Sequence, residues 1–448
     1  MRKTLFKGAA IVSMEPGIDD LDCGDLLVEG DRIAAIGPDL PADDAVVVDC
    51  RNRLILPGLV NAHMHTWQTG LRGLSANWTL LEYFRWMHAG LATRFTPDDL
   101  YIATLVGALN QIANGTTTLV DWCHNNPTPD HTDAAIGGLK QSGIRAAFLH
   151  GSPKPDPKPG QPHFSEIPHP RHEIERLRKG SLSSDDQLVT LGMAILGPDF
   201  STLEVVLQDF RLARDFDLIV SMHQTGAAPK APTGWEELER RNLLGPWTNI
   251  VHGCELSDGQ MARLADRGAS FSVTPETEMT QGHGFPITGR LRRLGRAPSL
   301  GVDLESLTSG NMFAAARAAL IVQRALDNAE SRRDRGRIPD SSTVTTRDAL
   351  SWITIEGARM LRLDHRIGSL APGKQADLIV LRLDDVNMSP MHDPVATAVM
   401  QADRANIESV LVAGRFRKRD GALRFDGIEA KLAALSASGR RIVKEMSV

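Results

Sequence analysis

Two histidines stand two residues apart at the end of an apolar run, as His63 and His65 of LILPGLVNAHMHT (54–66). Alternate side chains of a β-strand point to the same face, so these two imidazoles project side by side. Imidazoles at this spacing can hold one divalent metal ion such as zinc. Two ordinary histidines at a strand end are the alternative interpretation, and residues elsewhere in the chain must decide between the two.

The rest of the chain supplies the elements that position such a site. Short β-type runs separated by turns fill residues 1–56. Strand-like and helix-like segments then alternate over residues 57–365, which indicates an α/β fold with a (β/α)8 TIM-type barrel. β-type patterning returns over 366–425, so both chain ends are expected to build one small β-sandwich. Residues 426–448 have the apolar spacing of a C-terminal amphipathic helix.

Three more polar residues follow strands of the alternating region. His223 comes after LIVSM, His252 after NIV, and Asp303 after SLGV. Active sites of TIM barrels lie at the carboxyl ends of the strands, so these residues are expected to face one site. A buried histidine with satisfied hydrogen bonds, or a carboxylate that caps the next helix, are the structural alternatives.

Composition limits the classes of partner. The chain has 448 residues, 42% hydrophobic and 23% charged, with a net charge of −5, which argues against nucleic acid or anionic membrane as main partners. No apolar run reaches the roughly 18 residues that span a bilayer. The four cysteines form no C-x-x-C pair, so we expect reduced thiols in the cytoplasm. We also expect a small-molecule substrate and a homo-oligomer, either a dimer or a tetramer.

These motifs together resemble the amidohydrolase superfamily: the H-x-H after PGLVNA, the strand-end His223 and His252, Asp303, and the closing GSLAPGKQADLIVL. Within it the chain looks like the branch of cytosine deaminases, guanine-type deaminases and triazine hydrolases. The resemblance implies a metal-dependent barrel that hydrolyses C–N bonds, often in N-heterocycles. It implies that His63, His65, His223 and Asp303 are metal ligands, and that His252 contacts the metal-bound water and the substrate.

One metal ion is expected, because LGPDFST after the fourth barrel strand contains no lysine to bridge a second ion as two-metal relatives do. Three imidazoles and one carboxylate suit zinc, with iron or manganese as alternatives. Such an ion lowers the pKa of a bound water to near 7 and so supplies hydroxide at neutral pH. Asp303 can accept the proton of this water, and His252 can donate a hydrogen bond to the atom that gains charge.

The chain departs from its relatives at the proton shuttle. Deaminating relatives carry a glutamate three residues after the fifth-strand histidine, where this chain has Gly226. Glu255, in HGCE after His252, is the first candidate substitute. Glu276 and Glu278, in PETEMTQGHG (275–284), are the other candidates. Glu278 and His283 of the same segment are also expected to contact the substrate.

The substrate pocket is expected to be lined by residues that follow the H-x-H motif and other strand ends. A flat, partly aromatic substrate would stack on tryptophans there, although each of them can equally be core packing. The expected lining residues are Trp67, Gln68, Trp78, Arg72, His124 and His150. The Pro-rich segment 151–172 is predicted to form a wall over the site, with His163, His169 and His172 facing solvent.

The sequence therefore predicts a mononuclear metal-dependent hydrolase that deaminates an N-heterocyclic or aromatic amine. Loss of the usual shuttle at Gly226 leaves open a cyclic-amide hydrolase, a dehalogenating hydrolase or a lyase on a related substrate. A non-catalytic barrel protein is a third possibility, and the intact set of metal-binding residues argues against it.

Overall fold

A computed structural model describes residues 3–155, 158–225 and 228–444 of the chain. The strands are β1 Lys3–Ile11, β2 Leu21–Glu29, β3 Arg32–Gly37, β4 Val46–Asp49, β5 Arg53–Pro57, β6 Leu59–Met64, β7 Thr116–Cys123, β8 Arg145–Gly151, β9 Val189–Ala194, β10 Val220–Gln224, β11 Thr248–His252, β12 Ser270–Val273, β13 Ser299–Leu300, β14 Leu378–Arg382, β15 Ile407–Val412, β16 Arg415–Arg419 and β17 Ala422–Leu423. The helices are α1 Leu80–Tyr83, α2 Pro97–Ala113, α3 Pro129–Ser142, α4 Arg171–Lys179, α5 Gly197–Phe200, α6 Leu203–Asp215, α7 Gly234–Arg240, α8 Asp258–Asp266, α9 Pro275–Gln281, α10 Thr288–Arg293, α11 Met312–Arg335, α12 Thr346–Trp352, α13 Ile355–Met360, α14 Pro394–Gln401 and α15 Ile428–Lys444.

Strands β6 to β13 follow one another in a single parallel sheet that closes on itself. Closure occurs where Met64 bridges Asp303 in parallel register. The amide of Asp303 donates to the carbonyl of His63 at 3.0 Å, and the amide of His65 donates to the carbonyl of Asp303 at 2.8 Å. This sheet is the (β/α)8 TIM-type barrel that the alternation of elements predicts.

The barrel strands are buried on both faces. Every residue of β7, TTTLVDWC, and every residue of β8, RAAFLHG, is buried. Parallel strands covered on both sides carry continuous apolar or β-branched runs rather than an alternating pattern, which explains these sequences. Gly301 allows the close approach at the closing strand, because a Cβ there would lie 2.5 Å from the carbonyl oxygen of His63.

A second sheet of nine strands combines both ends of the chain, as predicted. Its central join is the antiparallel pair of β5 and β14, in register from Leu378 opposite Pro57 to Arg382 opposite Arg53. Apolar side chains from the two ends, including Phe6 and Val380, share one core cluster. The β-type patterning over 367–373 forms turns in the structure, and the strand begins only at β14.

The chain divides into two compact units. One contains residues 1–61, 109–118 and 311–425, and the other contains 62–108, 119–310 and 426–448. The first unit holds the nine-stranded sheet and helices α11 to α14. The second holds every candidate ligand and helix α15. The domain boundaries expected from the sequence stay a prediction.

In one segment the helices differ from those that the local apolar pattern suggests. The apolar spacing of 80–91 suggests one helix, but the structure has the short α1, a π-helical turn at Phe84–His88, and a 3-10 turn at Leu91–Arg94. Thr96 caps α2 in a capping-box arrangement: its hydroxyl accepts from the amide of Asp99 at 3.4 Å, and its amide donates to Asp99 Oδ2 at 2.8 Å. Over the three described ranges, no helix has both the length and the apolar character needed to cross a bilayer.

Candidate metal centre and active site

Four predicted ligands converge at the closing point of the barrel. The donor atoms of His63, His65, His223 and Asp303 lie within 4.8 Å of one another, and all four residues are buried. Oδ1 of Asp303 is 3.3 Å from Nε2 of both His63 and His65, and Nε2 of His223 is 3.2 Å from Nε2 of His63. Tetrahedral coordination at about 2.0–2.2 Å sets neighbouring donor atoms about 3.3–3.6 Å apart. The cluster therefore fits one ion.

The tautomer of His65 is also the one that a metal ligand needs, with Nε2 unprotonated. Its Nδ1 lies 2.6 Å from the carbonyl oxygen of Trp122. Since a carbonyl can only accept, Nδ1 carries the proton and Nε2 presents a lone pair toward Asp303. Burial lowers the pKa of His63 and of His65 to about 3, which keeps both rings in the neutral form that binds metals.

Two residues of the site have left-handed backbone conformations. The φ angles of His252 and Asp303 are 69° and 62°, a region that non-glycine residues seldom adopt. Both stand at the points where β11 and the closing segment leave the barrel. Such backbone strain persists only where the surrounding structure enforces it. Here the two conformations direct the side chains of His252 and Asp303 toward the cavity.

His252 forms a buried pair with Glu278. Nδ1 of His252 lies 3.3 Å from Oε1 of Glu278 and 3.1 Å from Oγ1 of Thr274. The amide of Thr274 donates to the same carboxylate oxygen at 2.8 Å. Burial raises the pKa of Glu278 to about 8 and lowers that of His252 to about 4. Both shifts favour the neutral forms, so the protonated carboxyl of Glu278 can donate a hydrogen bond to Nδ1 of His252.

A narrow cavity of about 30 Å³ opens beside three of the four ligands, His65, His223 and Asp303. Of the expected substrate-binding residues, His124 and His283 line it, and the ring of His283 lies 4.2 Å from that of His252. Its remaining walls include residues that sequence reasoning missed: Leu80, Tyr83, Phe84, His88, Lys154, Phe200, Thr225 and Gln281. Most of them come from the irregular segment around α1 and from loops, where no periodic pattern marks the inward face.

Three expected pocket residues lie behind the cavity wall instead of lining it. Trp67 is fully buried and packs edge-on against Phe95 at 5.2 Å. Nε2 of Gln68 donates to the Tyr83 hydroxyl at 2.5 Å, so Gln68 supports a lining residue. Trp78 is half-buried and is not among the lining residues.

Arg72 also lies away from the cavity, since it is exposed and pairs with Glu305 at 2.6 Å.

His150 is likewise turned away from the cavity. Its Nδ1 lies 2.9 Å from Nε2 of His169, and both rings are buried. The expectation that His169 faces solvent is therefore wrong, because the amide of His169 donates to the buried Asp209 at 2.8 Å and holds the loop down. His172 is exposed as expected, and His163 is half-buried.

The shuttle candidates differ in position. Glu255 is exposed, three residues beyond His252, and does not line the cavity. The left-handed conformations of His252 and Gly253 turn the chain outward immediately after β11. Glu278 is buried and touches His252. Gly226, where relatives carry the shuttle, lies outside the described residues.

Comparison with known proteins decides the family. The Amidohydrolase family model matches residues 54–417. The chain belongs to the amidohydrolase family. It is 30% identical to the 8-oxoguanine deaminase of Pseudomonas aeruginosa, with 98% of each chain covered. It is 27% identical to the 5'-deoxyadenosine deaminase of Methanothermobacter thermautotrophicus, over 89% of this chain and 90% of that protein.

Solved structures share the fold at lower identity. Atrazine chlorohydrolase from Arthrobacter aurescens TC1, complexed with zinc, superposes with a TM-score of 0.85 at 20% identity, over 97% of this chain and all of that one. A zinc-bound adenosine deaminase from Xanthomonas campestris gives a TM-score of 0.82 at 23% identity, over 99% of each chain. Family membership and the donor cluster together establish a metal-dependent hydrolase that acts on C–N bonds of small molecules.

Proposed function

We propose that this amidohydrolase is a mononuclear deaminase that removes an amino group from an N-heterocyclic or aromatic ring. The observation that carries the proposal is the buried cluster of four donor atoms beside a cavity that His65, His223, Asp303 and His252 line. The deaminase relatives named above support a ring amine as the substrate class. The expected homo-oligomer and the cytoplasmic location stay predictions.

One zinc ion is proposed for the centre, with iron and manganese as the alternatives. His63, His65, His223 and Asp303 would hold it through three nitrogen atoms and one oxygen, a donor set compatible with each of these metals. When bound, such an ion polarises a water molecule and lowers its pKa toward 7.

Asp303 and His252 would handle the protons of the reaction. Asp303 is the carboxylate nearest to the imidazole donors and can accept a proton from the attacking water. His252 lines the cavity and can donate a hydrogen bond to the ring nitrogen that gains charge. The ring of Phe200 on another wall offers a face on which a flat substrate can stack.

Glu278 would supply the proton that the missing shuttle no longer provides. Its carboxyl group is fully buried, and Oε2 has no hydrogen-bond partner within the described part of the chain. As Nε2 of His252 releases its proton toward the leaving amine, Nδ1 takes up the proton of Glu278. The proton that Asp303 accepts from the water then returns to Glu278 before the next turnover. We therefore assign this supporting role to Glu278 and no longer to the exposed Glu255.

Elemental analysis and a substrate screen test the proposal together. The purified enzyme should contain close to one zinc, iron or manganese ion per chain. It should release ammonia from at least one aminopurine, aminopyrimidine or aminotriazine. Chlorinated triazines and cyclic amides, assayed in parallel, cover the remaining hydrolase alternatives. Two ions per chain in the fully active enzyme, or turnover of only the chlorinated or cyclic-amide compounds, would contradict it.

A further inference from the structure

Lys154 lines the cavity that contains the metal ligands, although no motif marks it in the sequence. It lies on the segment that follows β8 and is half-buried. His65, His223, His252 and Asp303 line the same cavity, so Lys154 shares this space with the candidate metal centre.

The surroundings of Lys154 are aromatic. Nζ lies 4.5 Å from the ring centre of Phe200, and 6.0 Å from those of Phe84 and Trp122. No carboxylate forms an ion pair with Lys154 in the ranges that the structure describes. Burial lowers the pKa of Lys154 to about 8. Aromatic faces attract a cation but do little for a neutral amine, so these walls favour the ammonium form.

This arrangement leaves positive charge unbalanced. Three neutral imidazoles and the Asp303 carboxylate around a divalent ion sum to about one positive charge, and a bound hydroxide would cancel it. The ammonium of Lys154 adds a positive charge that no described carboxylate pairs with. Cation–π contacts offset only part of the cost of holding such a charge away from water without a counter-ion. A ligand that brings a negative oxygen into the cavity would restore the balance.

We propose that Lys154 binds an anionic oxygen of the substrate. The enzyme would then deaminate heterocycles that carry, besides the amino group, an ionisable ring oxygen or a carboxylate. This inference rests on the deaminase function proposed above and narrows its substrate class. A charge-assisted hydrogen bond from an ammonium to such an oxygen is among the stronger polar contacts in proteins. Lys154 thus selects the substrate, while Asp303 and His252 act on the reacting bond.

Two pairs of compounds test this selection. 8-Oxoguanine carries at C8 an exocyclic oxygen that guanine lacks, and 5-carboxycytosine carries a carboxylate that cytosine lacks, so the pairs separate the two sources of negative charge. In Lys154→Met, the preference for the oxygen-bearing member, measured as a ratio of kcat/KM values, should fall about 10- to 100-fold. The loss should lie mainly in KM, and Lys154→Arg should restore most of it. Lys158→Met, an exposed position nearby, is the matched control.

Calorimetric titration of the metal-loaded protein with the same compounds separates this inference from the deaminase proposal. If no compound releases ammonia, the deaminase proposal fails, but tighter binding of the oxygen-bearing members that Lys154→Met abolishes still supports the role of Lys154. A wild-type protein without preference in either pair overturns the inference. An equal loss for both members of a pair in Lys154→Met does so too, because the lysine would then act on the reaction or the fold.

Discussion

Two groups of buried histidines lie at the carboxyl ends of barrel strands, and they are built differently. The metal group, formed by His63, His65, His223 and Asp303, directs four donor atoms at one point. In the structural group, Nδ1 of His150 pairs with Nε2 of His169 at 2.9 Å. In that pair one ring N–H donates a hydrogen bond to a nitrogen of the other ring. The donor atoms of the metal group converge on one point, whereas the facing nitrogens of the structural group are hydrogen-bonded to each other.

The difference shows why histidine at a strand end is an ambiguous signal. Burial lowers the pKa of His150 to about 3, the same value as for His63 and His65. Depressed pKa values therefore do not separate the groups. What separates them is a carboxylate oxygen 3.3 Å from the ring nitrogens of His63 and His65 and the cavity beside the metal group, which His150 and His169 do not line.

The largest expected effect comes from breaking the metal group. His63→Ala or Asp303→Ala should remove the ion and all measurable turnover, because each removes one of four donor atoms. His150→Gln is the matched change in the structural group and should keep a full complement of ion. Elemental analysis and ammonia release of the three variants check this. Loss of the ion from His150→Gln as well would erase the distinction between the groups.

Changing Glu278 should slow the reaction without removing the ion. We expect Glu278→Gln to lower kcat at least about a hundredfold, since a positioned acid or base contributes roughly 10²–10⁴-fold. Wild-type kcat should also fall as the pH rises through about 8, where Glu278 loses its proton, and this fall should be missing in the variant. Glu255→Gln is the control and should stay near wild type. A large loss in Glu255→Gln instead would return the shuttle role to that residue.

Breaking the structural group should affect stability more than catalysis. His150→Leu leaves the buried Nε2 of His169 without its partner, so the free energy of unfolding should fall by about 1–3 kcal/mol. Denaturant titration measures this change, and metal content should remain that of the wild type. A variant as stable as the wild type would show that the histidine pair does not stabilise the loop.

The smallest effect is a pH dependence at Asp209. Burial raises the pKa of this carboxyl group to about 7, above its ordinary value of 3.8 in an unfolded chain. The folded state then binds the proton of Asp209 more tightly than the unfolded chain does. The stability that this proton contributes is fully present below pH 3.8 and is lost as the pH rises through about 7. Asp209→Asn keeps an acceptor for the His169 amide and removes the titration. Its stability relative to wild type should therefore increase from pH 5 to pH 8 in parallel denaturant titrations, and a constant difference would contradict this.

The barrel could be predicted from the sequence alone, and the four candidate metal ligands could be selected from it with the help of the family resemblance. The two-residue spacing places His63 and His65 on one side of β6, and the buried runs TTTLVDWC and RAAFLHG are typical of barrel strands. Strand-end position was enough to select His223 and Asp303. These features are local, because they depend on strand periodicity and on where a strand stops.

Which further side chains reach the site depends on how the chain folds. Glu255 follows His252 closely in sequence, but two left-handed residues turn it outward. Glu278 lies 26 residues after His252 in the sequence, and helix α9 brings its carboxyl group into contact with that histidine. Lys154 enters the cavity from an irregular segment. Separation along the sequence does not predict where these side chains point, because their directions depend on barrel closure and on single backbone angles at the strand ends.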